Sequence, residues 1–149
     1  MEILLFVYGT LRDPDLLAGV LGRSRMTTEI ATAAAPGFAA VHYPGRIYPA
    51  LVRRPGAAAP GVVLTDLTPF EIDLLDAYEG AEYRRAIIPV MIGEELHEAF
   101  AYLPTAEIPQ TAAEWRLIEW QKQHKARVIA GERASAAELR ARLIAIRPN

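Results

Sequence analysis

Two short stretches carry the residue types that could do chemistry. Glu79 follows Tyr78 at the end of an apolar helical stretch and precedes Gly80. A carboxylate there faces the negative end of a helix dipole among partly apolar neighbours, and both effects raise its pKa. A helix-stabilising glutamate belongs at the amino end, so this placement is locally unfavourable and points mildly to function. The ordinary alternative is an exposed carboxylate paired with Arg84 or Arg85. The second stretch is Tyr8-Gly9-Thr10, where the apolar run Ile3-Leu4-Leu5-Phe6-Val7 stops abruptly. A glycine turn between a strand and a helix can leave backbone N–H groups open to a carboxylate, a phosphate or a developing oxyanion. Its ordinary alternative is a tight connection with no ligand.

Other chemistries lack their parts. With no cysteine there is no disulfide, no thiolate nucleophile and no cysteine-based metal site. His42, His97 and His124 are far apart, without HxH or HExxH spacing, so no metal is expected. Thr10, Ser24 and Ser135 have no GxSxG elbow and no spaced His/Asp set, and neither a Walker loop nor GxGxxG is present. What is left is acid–base work by a carboxylate beside a backbone anion site. The chain is 52% hydrophobic and 23% charged with net charge −2, which favours neither nucleic acid nor an anionic membrane as partner. A small molecule or a protein fits better. The amino-terminal apolar run is too short for a signal or a membrane span, and a cytoplasmic location is the expectation.

These residues need positioning elements, and 149 residues suffice for one domain, 1–149. Ile3–Val7 reads as a strand buried on both faces. Asp13-Pro14 then caps a helix bearing Leu16, Leu17, Val20 and Leu21. Arg23–Thr32 is mixed, with Met26 and Ile30 as inward strand positions. Gly37–Val41 reads as a second strand ending near Tyr43-Pro44-Gly45, and Arg46–Arg53 returns as an extended segment that Pro49 confines to an edge or bulge. Pro55–Pro60 is expected to be a hairpin tip, followed by a strand over Gly61–Leu67. Thr68-Pro69-Phe70-Glu71 is a capping box opening a helix that ends at Glu79, with Gly80 as left-handed cap. Ala86–Ile92 and Glu98–Leu103 pair as a hairpin about Gly93.

The tail differs in kind. Capping-box patterns at Thr111–Glu114 and Ser135–Glu138 predict two helices, the first ending near Gly131, that form an αα-hairpin over about 111–147. Trp115 and Trp120 are read as core anchors, with self-association into a homo-oligomer as the alternative. Lys122, Lys125, Arg127, Arg140 and Arg142 are read as a solvated face.

Phe6-Val7-Tyr8-Gly9-Thr10-Leu11-Arg12 together with Leu75–Arg85 (LDAYEGAEYRR), and Tyr48-Pro49-Ala50-Leu51 between them, resemble the gamma-glutamylcyclotransferase-like family, including its AIG2-like and gamma-glutamylamine cyclotransferase branch. The likeness covers about residues 1–103 and leaves the tail out. It implies an α+β fold, a small mixed β-barrel flanked by helices, to which the tail adds a C-terminal helical hairpin. It further implies that Tyr8, Gly9, Thr10, Leu11 and Arg12 hold the substrate, that Tyr83 lines its cavity, and that Glu79 is the general acid/base. Tyr48 and Arg84 are weaker candidates for the cavity wall. The implied reaction is cyclisation of a γ-glutamyl amine or amide to 5-oxoproline with release of the amine, without metal or cofactor. The rival is a non-catalytic ligand-binding or interaction module that kept the cavity.

Overall fold

The computed structural model describes residues 3–23 and 30–146. Ser24 and Met26 therefore lie outside the described residues. Five strands close into a ring: β1 (Leu5–Val7), β2 (Ile30–His42), β3 (Pro49–Leu64), β4 (Tyr83–Ile92) and β5 (Glu95–Pro104), in the order β1-β3-β2-β4-β5. Every pairing is antiparallel except β1 with β5, which makes the sheet mixed. The expected α+β ring with flanking helices is thus present.

β1 is buried on both faces because its alternate side chains enter two different cores. Phe6 and, just beyond the strand, Tyr8 point into the ring with Phe38, Leu51, Val63 and Val90. Leu5 and Val7 point outward, under α1 (Pro14–Leu21) and the residues packed around it. Asp13 caps α1 as expected, accepting from the Leu16 N–H at 3.0 Å. α2 (Pro69–Glu79) starts at the predicted capping box: the Glu71 N–H donates to Thr68 Oγ1 at 3.1 Å, and the Thr68 N–H donates to Glu71 Oε1 at 3.0 Å.

Two expectations fail. Pro55–Pro60 is no hairpin tip but the middle of β3, a single 16-residue strand paired with β2 on both sides of a bulge. The register shifts between Pro36↔Ala58 and Phe38↔Arg53, and Gly37 and Gly56 take positive φ there, which lets the strand bend without ending. Small side chains are what closure demands at this point: Ala33, Ala35 and Ala59 are buried inside the ring. At Gly61 a Cβ would lie 2.4 Å from the Val7 carbonyl oxygen, so β1 can approach β3 only over a glycine.

The tail is not a hairpin. One helix, α3, begins as Leu117–Trp120, passes through a π-helical segment Gln121–Lys125 and continues as Ala126–Ile146. Gly131 and Ser135 lie inside it, and Thr111–Glu114 precedes it outside any helix, in a turn that leads to Glu114, which bridges Val41. Packing explains the continuity: Ala136 is fully buried against the outer core, and Val128 and Ile129 join it. Trp115 and Trp120 are buried in the protein's own core, and the Trp115 indole donates to the Ile47 carbonyl at 2.9 Å. They offer no surface for self-association. Two of the tail cations are docking groups rather than a solvated face: Lys125 binds Asp13 and Asp15, and Arg140 donates to the Gly19 and Val20 carbonyls at the end of α1. Among the described residues no helix is long and apolar enough to cross a membrane.

Candidate active site

The turn after β1 and the end of α2 meet at one cavity of about 250 Å³. Of the residues singled out from sequence, Tyr8, Gly9, Thr10, Leu11, Glu79, Tyr83 and Tyr48 line it. Arg12 does not: it borders a separate depression with Trp115 and Gln121. The reason is the short 3-10 turn Thr10–Arg12, whose three residues project in three directions; Leu11 enters the core and Arg12 leaves the cavity side. Arg84 is exposed and also absent from the wall.

The loop has unused donors. The 3-10 turn bonds the Arg12 N–H to the Gly9 carbonyl and the Asp13 N–H to the Thr10 carbonyl. Among the described residues the amides of Gly9, Thr10 and Leu11 have no hydrogen-bond partner. First-turn amides are orphaned in any helical turn, and here three in succession belong to cavity-lining residues. Gly9 has no positive φ; a Cβ there would crowd the Pro49 ring, at 3.0 Å from Cγ and 3.1 Å from Cδ. The Tyr48-Pro49 segment thereby packs directly on the loop.

Glu79 is the last residue of α2, and Gly80 turns the chain with φ +67° and ψ −156° while its N–H donates to the Asp76 carbonyl. The conformation has the positive φ expected of a cap, although its ψ lies outside the left-handed helical region. The Glu79 carboxyl forms no hydrogen bond or ion pair among the described residues. Arg85, its suggested partner, is held by Asp76 in a two-pronged bond of 2.9 and 3.2 Å and lies over the Phe100 ring. Burial, and then the nearby charges of Glu132, Asp76 and Glu82, push the Glu79 carboxyl up to about 8.

Tyrosines make up much of the remaining wall, and burial holds their phenols in the neutral form. Tyr48 is pushed up to about 12 by burial and then by its bond to Glu82, and Tyr78, Tyr83 and Tyr102 are raised further, again chiefly by burial. Each hydroxyl already has a protein acceptor. Tyr83 donates to the Pro49 carbonyl at 2.5 Å, Tyr8 to the Tyr102 carbonyl at 2.5 Å, Tyr102 to Asp76 Oδ1 at 2.7 Å, and Tyr48 to Glu82. These rings therefore present faces and edges to a ligand, while Glu79 and the loop amides remain the groups without partners.

The sequence reading missed the contribution of the tail. Trp120, Val128 and Glu132 of α3 also line the cavity, and Glu132 Oε2 accepts from the Tyr78 hydroxyl at 2.8 Å. The available signal was a stripe at helical spacing, Val128, Glu132, Ala136 and Arg140, that runs through Gly131 without interruption.

Comparisons with known proteins agree with the fold. A sequence model of the family described as gamma-glutamyl cyclotransferase, AIG2-like, matches residues 5–122. AIG2-like protein A of Arabidopsis thaliana is 36% identical over 129 residues, covering 83% of this chain and 75% of the relative. An Arabidopsis thaliana protein known from its solution structure superposes with a TM-score of 0.66 at 32% identity over 87% of both chains. A solved gamma-glutamyl cyclotransferase shares the fold, with a TM-score of 0.59 at 17% identity over 100% of this chain and 90% of its own.

Proposed function

The chain belongs to the gamma-glutamyl cyclotransferase, AIG2-like family, and from that premise we propose that it cyclises the γ-glutamyl part of a small γ-glutamyl amine or amide to 5-oxoproline and releases the amine. One observation carries the reading: an unpartnered carboxyl with a raised pKa shares a cavity with three unpartnered backbone amides.

The substrate holds its own nucleophile. The Glu79 carboxylate takes a proton from the α-ammonium, and the freed amine attacks the γ-glutamyl carbonyl carbon four bonds away, closing a five-membered ring. A tetrahedral intermediate forms, and its oxyanion is met by the amides of Gly9, Thr10 and Leu11. The bond from that carbon to the leaving nitrogen then breaks while protonated Glu79 returns its proton to that nitrogen, and the ionised carboxylate then passes the second proton of the ring nitrogen to the departing amine. The products are 5-oxoproline and the amine as its ammonium, and every step is a proton or acyl transfer that needs no metal or cofactor. Because the reacting groups are tethered, holding a near-attack conformer supplies much of the acceleration. The aromatic wall of Tyr8, Tyr48 and Tyr83 suits that confinement.

The raised pKa of Glu79 matters to the proton transfer. A carboxyl near 8 lies closer to an ammonium than an ordinary carboxyl does, which lessens the uphill step. A bound α-ammonium would in turn favour its ionised form. Arg12 has no part in this mechanism, since it faces another depression.

The test is release of 5-oxoproline and amine from a panel of γ-glutamyl compounds by the wild type and by Glu79→Gln. Turnover in the wild type should fall by roughly 10²–10⁴ in the variant, the usual weight of a general acid/base. Near-normal turnover by Glu79→Gln would remove Glu79 from the mechanism. Binding of the panel without any turnover would favour the rival reading, a ligand-binding module.

A further inference from the structure

The cavity has one negative charge that the protein leaves uncompensated, and it comes from the part of α3 beyond the family-matched residues 5–122. Three carboxyl groups line the cavity, Glu79, Glu82 and Glu132, and no lysine or arginine does. Glu82 is answered by Arg46 at 2.9 Å and by the Tyr48 hydroxyl. Glu79 titrates near 8 and is mostly neutral at neutral pH before substrate binds. Glu132 receives only the neutral hydroxyl of Tyr78 among the described residues. The arginines near it on α3 are drawn away: the Arg133 side chain packs on Gly19, and Arg140 donates to the Gly19 and Val20 carbonyls.

A γ-glutamyl group is itself a zwitterion with no net charge. Its α-ammonium must lie by Glu79 to give up a proton, so the charge that Glu132 lacks has to come from the leaving group. Trp120 and Val128 line the same cavity as Glu132 and suit an alkyl stem, and Tyr78 and Trp120 put aromatic rings in the wall where a cation would be attracted. Resting on the cyclotransferase reading above, we propose that Glu132 determines specificity by pairing with a remote ammonium on the leaving amine, so that the substrates are mono-γ-glutamyl amides of diamines or longer polyamines.

Two probes of equal length isolate that charge: the γ-glutamyl amides of 1,4-diaminobutane and of n-pentylamine, which differ by an ammonium in place of a methyl. Calorimetric titration of Glu79→Gln, which does not consume them, is expected to show at least about tenfold tighter binding of the cationic probe. Adding Glu132→Gln should bring the two affinities to within about twofold. Adding Tyr78→Phe instead, which keeps the Glu132 charge, should preserve the preference and shows that cavity variants remain folded. Equal affinities in Glu79→Gln, a preference surviving Glu132→Gln, or failure of both probes to bind would overturn the proposal. A parallel loss of both affinities on adding Glu132→Gln would also overturn it, because Glu132 would then serve the α-ammonium. Turnover is read separately in the wild type: a binding preference without 5-oxoproline release would defeat the cyclisation reading and leave the assignment of Glu132 standing.

Discussion

Asp13 and Glu79 are both carboxyl groups withdrawn from water, and the protein treats them in opposite ways. Asp13 has no exposed surface and is fully engaged: it accepts from the Leu16 N–H at 3.0 Å, from Gln121 at 2.9 Å and from Lys125 at 2.9 Å. Burial alone would raise its pKa, but the bonds from Lys125, Gln121 and Leu16 hold it below the usual carboxylate value. Glu79 is half-buried, has no partner, and is pushed up to about 8. A buried charge with good partners fixes structure, whereas one without them stores free energy that a substrate can release. The first region joins α1 to α3; the second is where chemistry is proposed.

Two substitutions should separate these roles. Glu79→Gln is expected to have the largest effect on activity, roughly 3–5 kcal/mol of transition-state stabilisation, with the fold intact by circular dichroism. Asp13→Asn should behave in reverse. It leaves Lys125 and Gln121 facing a neutral amide and should lower unfolding stability by about 2–4 kcal/mol in a urea titration, while kcat of the folded fraction is unchanged. If Asp13→Asn reduced kcat as strongly as Glu79→Gln, the division between a structural and a reactive carboxyl would fail.

The two carboxyls should also give opposite pH dependences. Asp13, with its pKa lowered by folding, contributes stability that is present above the ordinary aspartate value and is lost as pH falls. Glu79, with its pKa raised from 4.5 to about 8, contributes stability that is present below pH 4.5 and is lost as pH rises to about 8. Glu79→Gln should therefore gain stability relative to the wild type between pH 5 and pH 9. A gain on the order of 2 kcal/mol allows for its partial exposure. A difference between the two proteins that stays constant over that range would mean that Glu79 is ordinarily solvated.

The parts of these regions that were legible in the sequence are those where one local rule decides. The run Leu5-Phe6-Val7 gives way to Gly9, which packs closely beneath Pro49, and α2 is bounded by a capping box and by a glycine with positive φ. Glu79 could be singled out because its position contradicts the helix dipole. The middle of β3 was not legible: proline, glycine and alanine are turn residues by propensity, yet closure of the ring needs small inward side chains at Ala35 and Ala59, a tertiary demand with no local sign. The tail failed for a related reason. A Ser/Thr-x-x-Glu pattern can open a helix but does not compel one, and burial of Ala136 against the core carries α3 through both Gly131 and Ser135. Ending the helix at Gly131 hid Glu132, and with it the third carboxyl of the cavity.

One helix serves both regions, since α3 sends Gln121 and Lys125 to Asp13 and Glu132 to the cavity of Glu79. From Lys125 to Glu132 is only about two turns, so the docking of α3 on α1 sets where Glu132 stands. The π-helical segment Gln121–Lys125 is part of that setting, because the wider turn rotates the residues after it relative to Trp120. Arg140 tests the link at its weakest point. It is outside the cavity wall and donates at 2.9 and 2.7 Å to the Gly19 and Val20 carbonyls, acceptors left open at the end of α1. Arg140→Met should cost about 1 kcal/mol of unfolding stability and speed amide exchange in the last turns of α3. If α3 is fixed mainly by the Asp13 cluster, the KM for γ-glutamyl substrates will not change. A raised KM at full stability would instead show that the position of Glu132 depends on both anchors.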